Sequence, residues 1–185
     1  MGAERRLPGE PGIWVLITGE LFIFSIFFVM IAASRASDPE LFRHAQATLH
    51  RELGLANTLL LLTSSLFVAL ATSRLRTGRS GSARLLYAAI LCGCSFVAIK
   101  IVEYSEKVAA GIGFTTSDFF TFYYAFTGIH LAHVLLGLLV LGWMSAAARA
   151  PITEQSAALF ECGAIFWHLV DLLWIVLFAL FYLAL

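Results

Sequence analysis

In 185 residues the chain carries 60% hydrophobic side chains and 13% charged ones, with twelve Lys+Arg balanced by twelve Asp+Glu. Soluble domains average about 45–50% apolar and about 25% charged residues, so this mixture cannot furnish a water-facing surface, and the chain reads as an integral membrane protein. Its zero net charge gives no electrostatic footprint for nucleic acid or for an acidic partner.

The predicted elements are five apolar spans. The first covers residues 11–34, with Pro11 suited to a first helical position. Arg5-Arg6 ahead of an apolar run that closes near Ala32-Ala33-Ser34 has the outline of a signal peptide. The run from Ile13 to Ala33 outlasts the usual h-region and holds Glu20, so it is read as a retained span. A polar segment follows from Arg35 to Arg51, then span two at 52–75. The next connection, Arg74-Leu-Arg-Thr-Gly-Arg-Ser-Gly-Ser-Ala-Arg84, is basic and rich in Gly and Ser. Span three covers 83–107; Gly111 and Gly113 break it, and Ser117 with Asp118 can cap the next helix. Span four covers 119–148, and Pro151 with Thr153 open span five at 153–184. Each is long enough for a hydrocarbon core of about 30 Å. The expectation is one all-α membrane domain over residues 1–185, a five-helix bundle without internal repeat.

The N-terminus and the second and fourth connections hold seven basic residues (Arg5, Arg6, Arg74, Arg76, Arg79, Arg84, Arg149). The opposite side holds four (Arg35, Arg43, Arg51, Lys107). The positive-inside rule then sets the N-terminus in the cytoplasm and the C-terminus outside.

Every span carries a polar group, although a charge at the bilayer centre costs roughly 2.5–3.5 kcal/mol. Span one has Glu20 with Phe24 and Phe27 on the same face, and span two has Asn57 and, two turns on, Ser64. Span three has Lys100 and Glu103, whose i, i+3 spacing lets them pair. Span four has His130 and His133, also three apart. Span five reads Glu161-Cys-Gly-Ala-Ile-Phe-Trp167-His168-Leu-Val-Asp171-Leu-Leu-Trp174. At about 100° per residue, Glu161 and His168 nearly eclipse each other, with Asp171 one turn beyond and both tryptophans beside it. That face must look at protein. Cys92, Cys94 and Cys162 fall in apolar spans without a C-x-x-C and read as small buried hydrophobes.

The simplest reading makes these groups hydrogen-bond partners between helices, with glycines permitting close approach. Convergence of Glu103, the histidines, Glu161 and Asp171 would supply metal ligands. The di-iron carboxylate bundles, however, use Glu-x-x-His pairs, where this chain has His-x-x-His and His-x-x-Asp. Histidines on two spans also admit a haem between them. Intramembrane acids admit an ion-coupled transporter or channel, without the repeats and broken helices common in transporters.

Five motifs in order carry a resemblance. They are Gly12-Ile-Trp14 with Glu20-Leu-Phe-Ile-Phe24; Asn57-Thr58-x-x-Leu61-Leu62-x-Ser64-Ser65; Lys100-x-x-Glu103-Tyr104; Thr127-Gly128-x-His130-x-x-His133-Val134-x-x-Gly137; and Trp167-His168-x-Val170-Asp171-x-x-Trp174, with Tyr182-Leu183 after it. From Gly12 to Leu183 the chain resembles subunit III of the haem–copper oxidases, the cytochrome c oxidase subunit III family. Mitochondrial-type members have seven helices, and their first two form a lipid-filled cleft. This chain is similar to the last five, so that cleft is expected to be absent or differently made. The segment Pro8-Gly-Glu-Pro11-Gly-Ile-Trp14 looks most like the subunit III-like proteins associated with bacterial nitric oxide reductases; five-span members also occur in cytochrome c and quinol oxidases.

The resemblance implies an accessory subunit with no haem, copper or catalytic residue of its own. It would pack against a haem-bearing catalytic subunit I, with copper in subunit II of some members, in a bacterial cytoplasmic membrane. It would bind phospholipid and support proton uptake and the lifetime of the catalytic centre, while the complex passes electrons to O₂ or NO. Glu20, Asn57, Ser64, Lys100, Glu103, His130, His133, Glu161, His168 and Asp171 would then be the polar ladder that fixes the bundle.

Overall fold

The structure, a computed structural model, describes residues 11–78, 80–149 and 154–183. Arg5-Arg6, the Pro8-Gly-Glu part of the N-terminal motif, Arg79, Pro151 and Thr153 lie outside the described residues. The described residues form helices and turns only: α1 (Pro11–Ser37), α2 (Pro39–Ala47), α3 (Arg51–Arg76), α4 (Ser82–Ala109), α5 (Asp118–Ala147) and α6 (Glu154–Phe178), the last continuing as a π turn over Ala179–Leu183. Five of these helices are long and apolar enough to cross a membrane. The fold class read from the sequence is therefore the one observed.

Helices α3 to α6 form the body of the bundle, with α3 beside α4 and α6, and α5 beside the same two. Consecutive helices joined by short turns run antiparallel. Between α3 and α4 the turn needs left-handed backbone at Gly81, where φ is +93°, a conformation open to glycine because it has no Cβ. The bundle's centre is filled mainly from α6. Trp167 and Trp174 are both buried, as is Tyr182 in the π turn. Glycines admit these rings: a Cβ on Gly137 would lie 2.6 Å from Trp167, one on Gly93 3.1 Å from the same indole, and one on Gly54 2.8 Å from Tyr182. Such distances mean that Gly54 of α3, Gly93 of α4 and Gly137 of α5 are sockets for α6 and its π turn.

Two helices sit outside this body. Of the first span's described residues, Phe24 and Ile31 are buried, while Val15, Phe22, Ile26 and Val29 on its other side are exposed. Helix α2 was not expected; the polar segment 35–51 folds into it because its start carries a capping signature. The Asp38 carboxylate accepts from Leu41 N at 3.1 Å and Pro39 takes the first helical position. Phe42 then packs edge-on against Phe119 of α5, with ring centroids 5.5 Å apart. The Lys107 ammonium of α4 donates to the Thr48 carbonyl at the other end, where the helix dipole favours a cation. The cysteines also depart from expectation: Cys94 is exposed, and Cys92 and Cys162 are half-buried, because each sits off the packed stripe of its helix.

Candidate functional site

Lys100 of α4 is fully buried in the bundle. Its Nζ lies 2.9 Å from Glu103 Oε2, one turn along the same helix, and neither side chain has any exposed surface. Two further donors of the ammonium go to Tyr123 OH of α5 at 3.1 Å and Tyr182 OH of the π turn at 3.2 Å. Tyr182 in turn donates to Glu103 Oε1 at 2.6 Å. All three ammonium protons and both carboxylate oxygens are thus engaged. Four rings surround the cation, with Nζ 5.2 Å from the centroid of Tyr104, 5.0 Å from Tyr123, 5.2 Å from Trp174 and 5.7 Å from Tyr182. At this range the ring faces attract a desolvated cation by roughly 2 kcal/mol or more in total. The i, i+3 spacing foretold the ion pair. It did not foretell the tyrosines, which come from α5 and from beyond the end of α6; Tyr104, four residues from Lys100, was the legible part of the cage.

The cage is braced on α5. Thr127 donates to the Tyr123 carbonyl at 2.5 Å, which leaves Tyr104 OH as the donor to Thr127 Oγ1, also at 2.5 Å. Below it, Trp174 Nε1 donates to Thr58 Oγ1 of α3 at 3.1 Å, and Ser64 Oγ donates to the Ala89 carbonyl of α4 at 2.8 Å. These bonds join all four helices of the body through side chains that an apolar medium would otherwise leave unsolvated.

The remaining sequence candidates separate. His130 points into the bundle, its ring 5.7 Å from Phe96 and 5.3 Å from Trp174. His133 points to α1 instead. Its Nδ1 lies 2.9 Å from the Ile129 carbonyl, which requires an N–H there, and its Nε2 lies 3.2 Å from Glu20 Oε1. On α6, His168 Nδ1 is joined to Ser65 Oγ of α3 at 2.5 Å. Asp171 is buried one turn on, and its Oδ1 has no partner among the described residues.

Glu161 does not reach the interior face expected of it. It sits at the mouth of an open cleft of about 420 Å³ between α3 and α6, with Thr72, Ser73 and His168 along the walls. There it pairs with Arg76 at 2.8 Å, a partner 85 positions away that no spacing rule could name. Asn57 is buried on α3. Because these groups bond in separate places, no three His, Cys, Asp or Glu side chains among the described residues converge as metal ligands do.

Over residues 10–184 the chain matches the family described as cytochrome c oxidase subunit III. It is 30% identical over 180 residues to cytochrome c oxidase subunit 3 of Bacillus sp. strain PS3, covering 93% of this chain and 84% of that one. It is 27% identical to cytochrome bo(3) ubiquinol oxidase subunit 3 of Pseudomonas putida, with the same shares covered. It is likewise 27% identical to quinol oxidase subunit 3 of Bacillus subtilis, over 93% of this chain and 85% of that one.

Proposed function

This chain belongs to the cytochrome c oxidase subunit III family, and on that premise we propose that it serves as the accessory, non-redox subunit of a haem–copper oxidase superfamily complex. The observation that carries the reading is the mutually satisfied charge pair at the bundle's centre. Lys100 and Glu103, the most deeply buried charges, are taken up by each other and by Tyr123 and Tyr182. Buried charges so engaged fix helices against one another and offer no reactive group to a substrate. A chain of this kind acts through what it packs against.

Its partner in this reading is a haem-bearing catalytic subunit, which holds the haem and, in some complexes, the copper. Phospholipid is the ligand of the outward apolar surfaces, in a bacterial cytoplasmic membrane with the N-terminus inside. The basic ends that support this orientation include Arg76 on Glu161 and Arg149 on Tyr87 at 2.7 Å. The Pro8-Gly-Glu-Pro11-Gly-Ile-Trp14 segment favours a place beside a nitric oxide reductase within the same superfamily. The transporter reading requires a hydrated passage, and it has no support among the oxidase relatives.

The test is gentle detergent purification of the tagged chain, with an optical spectrum and mass spectrometry of what accompanies it. A co-purifying haem protein is the expected result, and its haem type and companions separate an oxidase from a reductase. A folded chain that is colourless and alone would contradict the proposal.

A further inference from the structure

One layer of the bundle combines buried polar atoms with no protein partner among the described residues. The bond from Ser64 Oγ to the Ala89 carbonyl fixes the level of α3 against α4. Because these helices are antiparallel, seven residues back from Ser64 and seven forward from Ala89 travel the same distance, about 10 Å, in the same direction. They arrive at Asn57 and Phe96. The Phe96 ring meets His130 of α5 at 5.7 Å and Trp174 of α6 at 4.8 Å. The Trp174 indole reaches back to Thr58, next to Asn57, at 3.1 Å. Asn57, Phe96, His130 and Trp174 therefore share one level, one from each helix of the body.

In this layer Asn57 and His130 have no exposed surface. Neither Nδ2 nor Oδ1 of Asn57, and neither Nδ1 nor Nε2 of His130, has a hydrogen-bond partner among the described residues. A neutral imidazole always presents one N–H donor and one lone pair, and an amide presents two donors and an acceptor. Phe96 offers only a ring, and the Trp174 N–H is already committed. Buried polar atoms are rarely left without a partner, and an internal water is held where two to four such atoms converge. We propose that Asn57 and His130 form a binding site for ordered water at the centre of the bundle, one layer below the Lys100 cage. Because the two ring nitrogens point apart, two waters are needed: one donates to the imidazole lone pair, the other accepts from the imidazole N–H, and both bond to the Asn57 amide. With one bond between the two waters, their three remaining protons meet the imidazole lone pair and the two lone pairs of the Asn57 oxygen, and their three remaining lone pairs meet the three protein N–H groups.

The experiment is X-ray hydroxyl-radical footprinting of the chain in its purified membrane complex, read by mass spectrometry. Radicals born at a bound water oxidise the side chains around it even where bulk solvent is excluded. Oxidation of His130, Phe96 and Trp174 is expected, with Met144 unmodified. Met144 is the control because it is equally buried and packed onto Gly163, although its thioether is intrinsically the more reactive group. In the double variant Asn57→Leu/His130→Leu, oxidation of Phe96 and Trp174 should be lost. Oxidation that persists there would overturn the proposal, as would wild-type Phe96, His130 and Trp174 as unreactive as Met144. The wild-type comparison decides if the variant does not assemble.

Discussion

The Lys100–Glu103 and Glu20–His133 pairs of this protein are built differently. Lys100 and Glu103 sit on one helix, have no exposed surface, and are closed in by three tyrosines and a tryptophan. Glu20 and His133 join two helices, keep 23% and 20% of their surface, and have a single bond between them. The first pair lies where four helices meet, while the second fastens α1, in whose most apolar stretch only 11% of residues are buried, against 61% in α6. The difference is one of alternatives. A charge left alone in the cage is shut off from bulk water, whereas a group at the α1 surface can reorient or find another partner.

The largest effect should therefore follow from Lys100→Leu or Glu103→Leu, each of which strands a buried charge. A loss of about 3–5 kcal/mol is expected, visible as a collapse in the yield of assembled protein and in its thermal unfolding temperature. Next comes Gly137→Ala, which drives a methyl against Trp167 at 2.6 Å and should cost about 1–3 kcal/mol by overpacking. Thermal unfolding reports it, and an unchanged midpoint would mean that Trp167 is not seated in that socket. His168→Leu should lower assembled protein by a smaller margin, about 1 kcal/mol for one lost hydrogen bond, with Ser65→Ala giving a matching loss. Glu20→Leu should be mildest, since interhelical hydrogen bonds in membranes average about 0.6 kcal/mol. A loss at Glu20 as large as that at Lys100 would erase the contrast between the two regions.

What the sequence disclosed follows from distance along the chain. Lys100 and Glu103 are one turn apart, so helical geometry alone brings them together, and the apolar runs alone gave five spans. Two of the cage's three tyrosines, Tyr123 and Tyr182, lie 23 and 82 positions from Lys100, and only the packing order of the helices unites them with it. His130 and His133 show the converse error. Three residues apart they look like one face, yet their directions differ by about 60° at 100° per residue, enough at a bundle corner to send one inward and the other to α1. Helix α2 escaped because its nine residues are too few to cross a membrane and mix polar with apolar side chains, although Asp38-Pro39-Glu40 carried the start signal. Glu161 was expected to face inward on periodicity alone. Two turns into its helix it meets Arg76 at the open cleft between α3 and α6.

The central claim is that a buried, mutually satisfied charge pair holds this accessory subunit together. A double-mutant cycle tests it most directly: thermal unfolding of the wild type, Lys100→Leu, Glu103→Leu and the double variant, all in the same detergent. If the pair is a unit, the double variant is more stable than either single, because no lone charge remains in the cage. A double variant as damaged as the sum of the two singles would contradict the account.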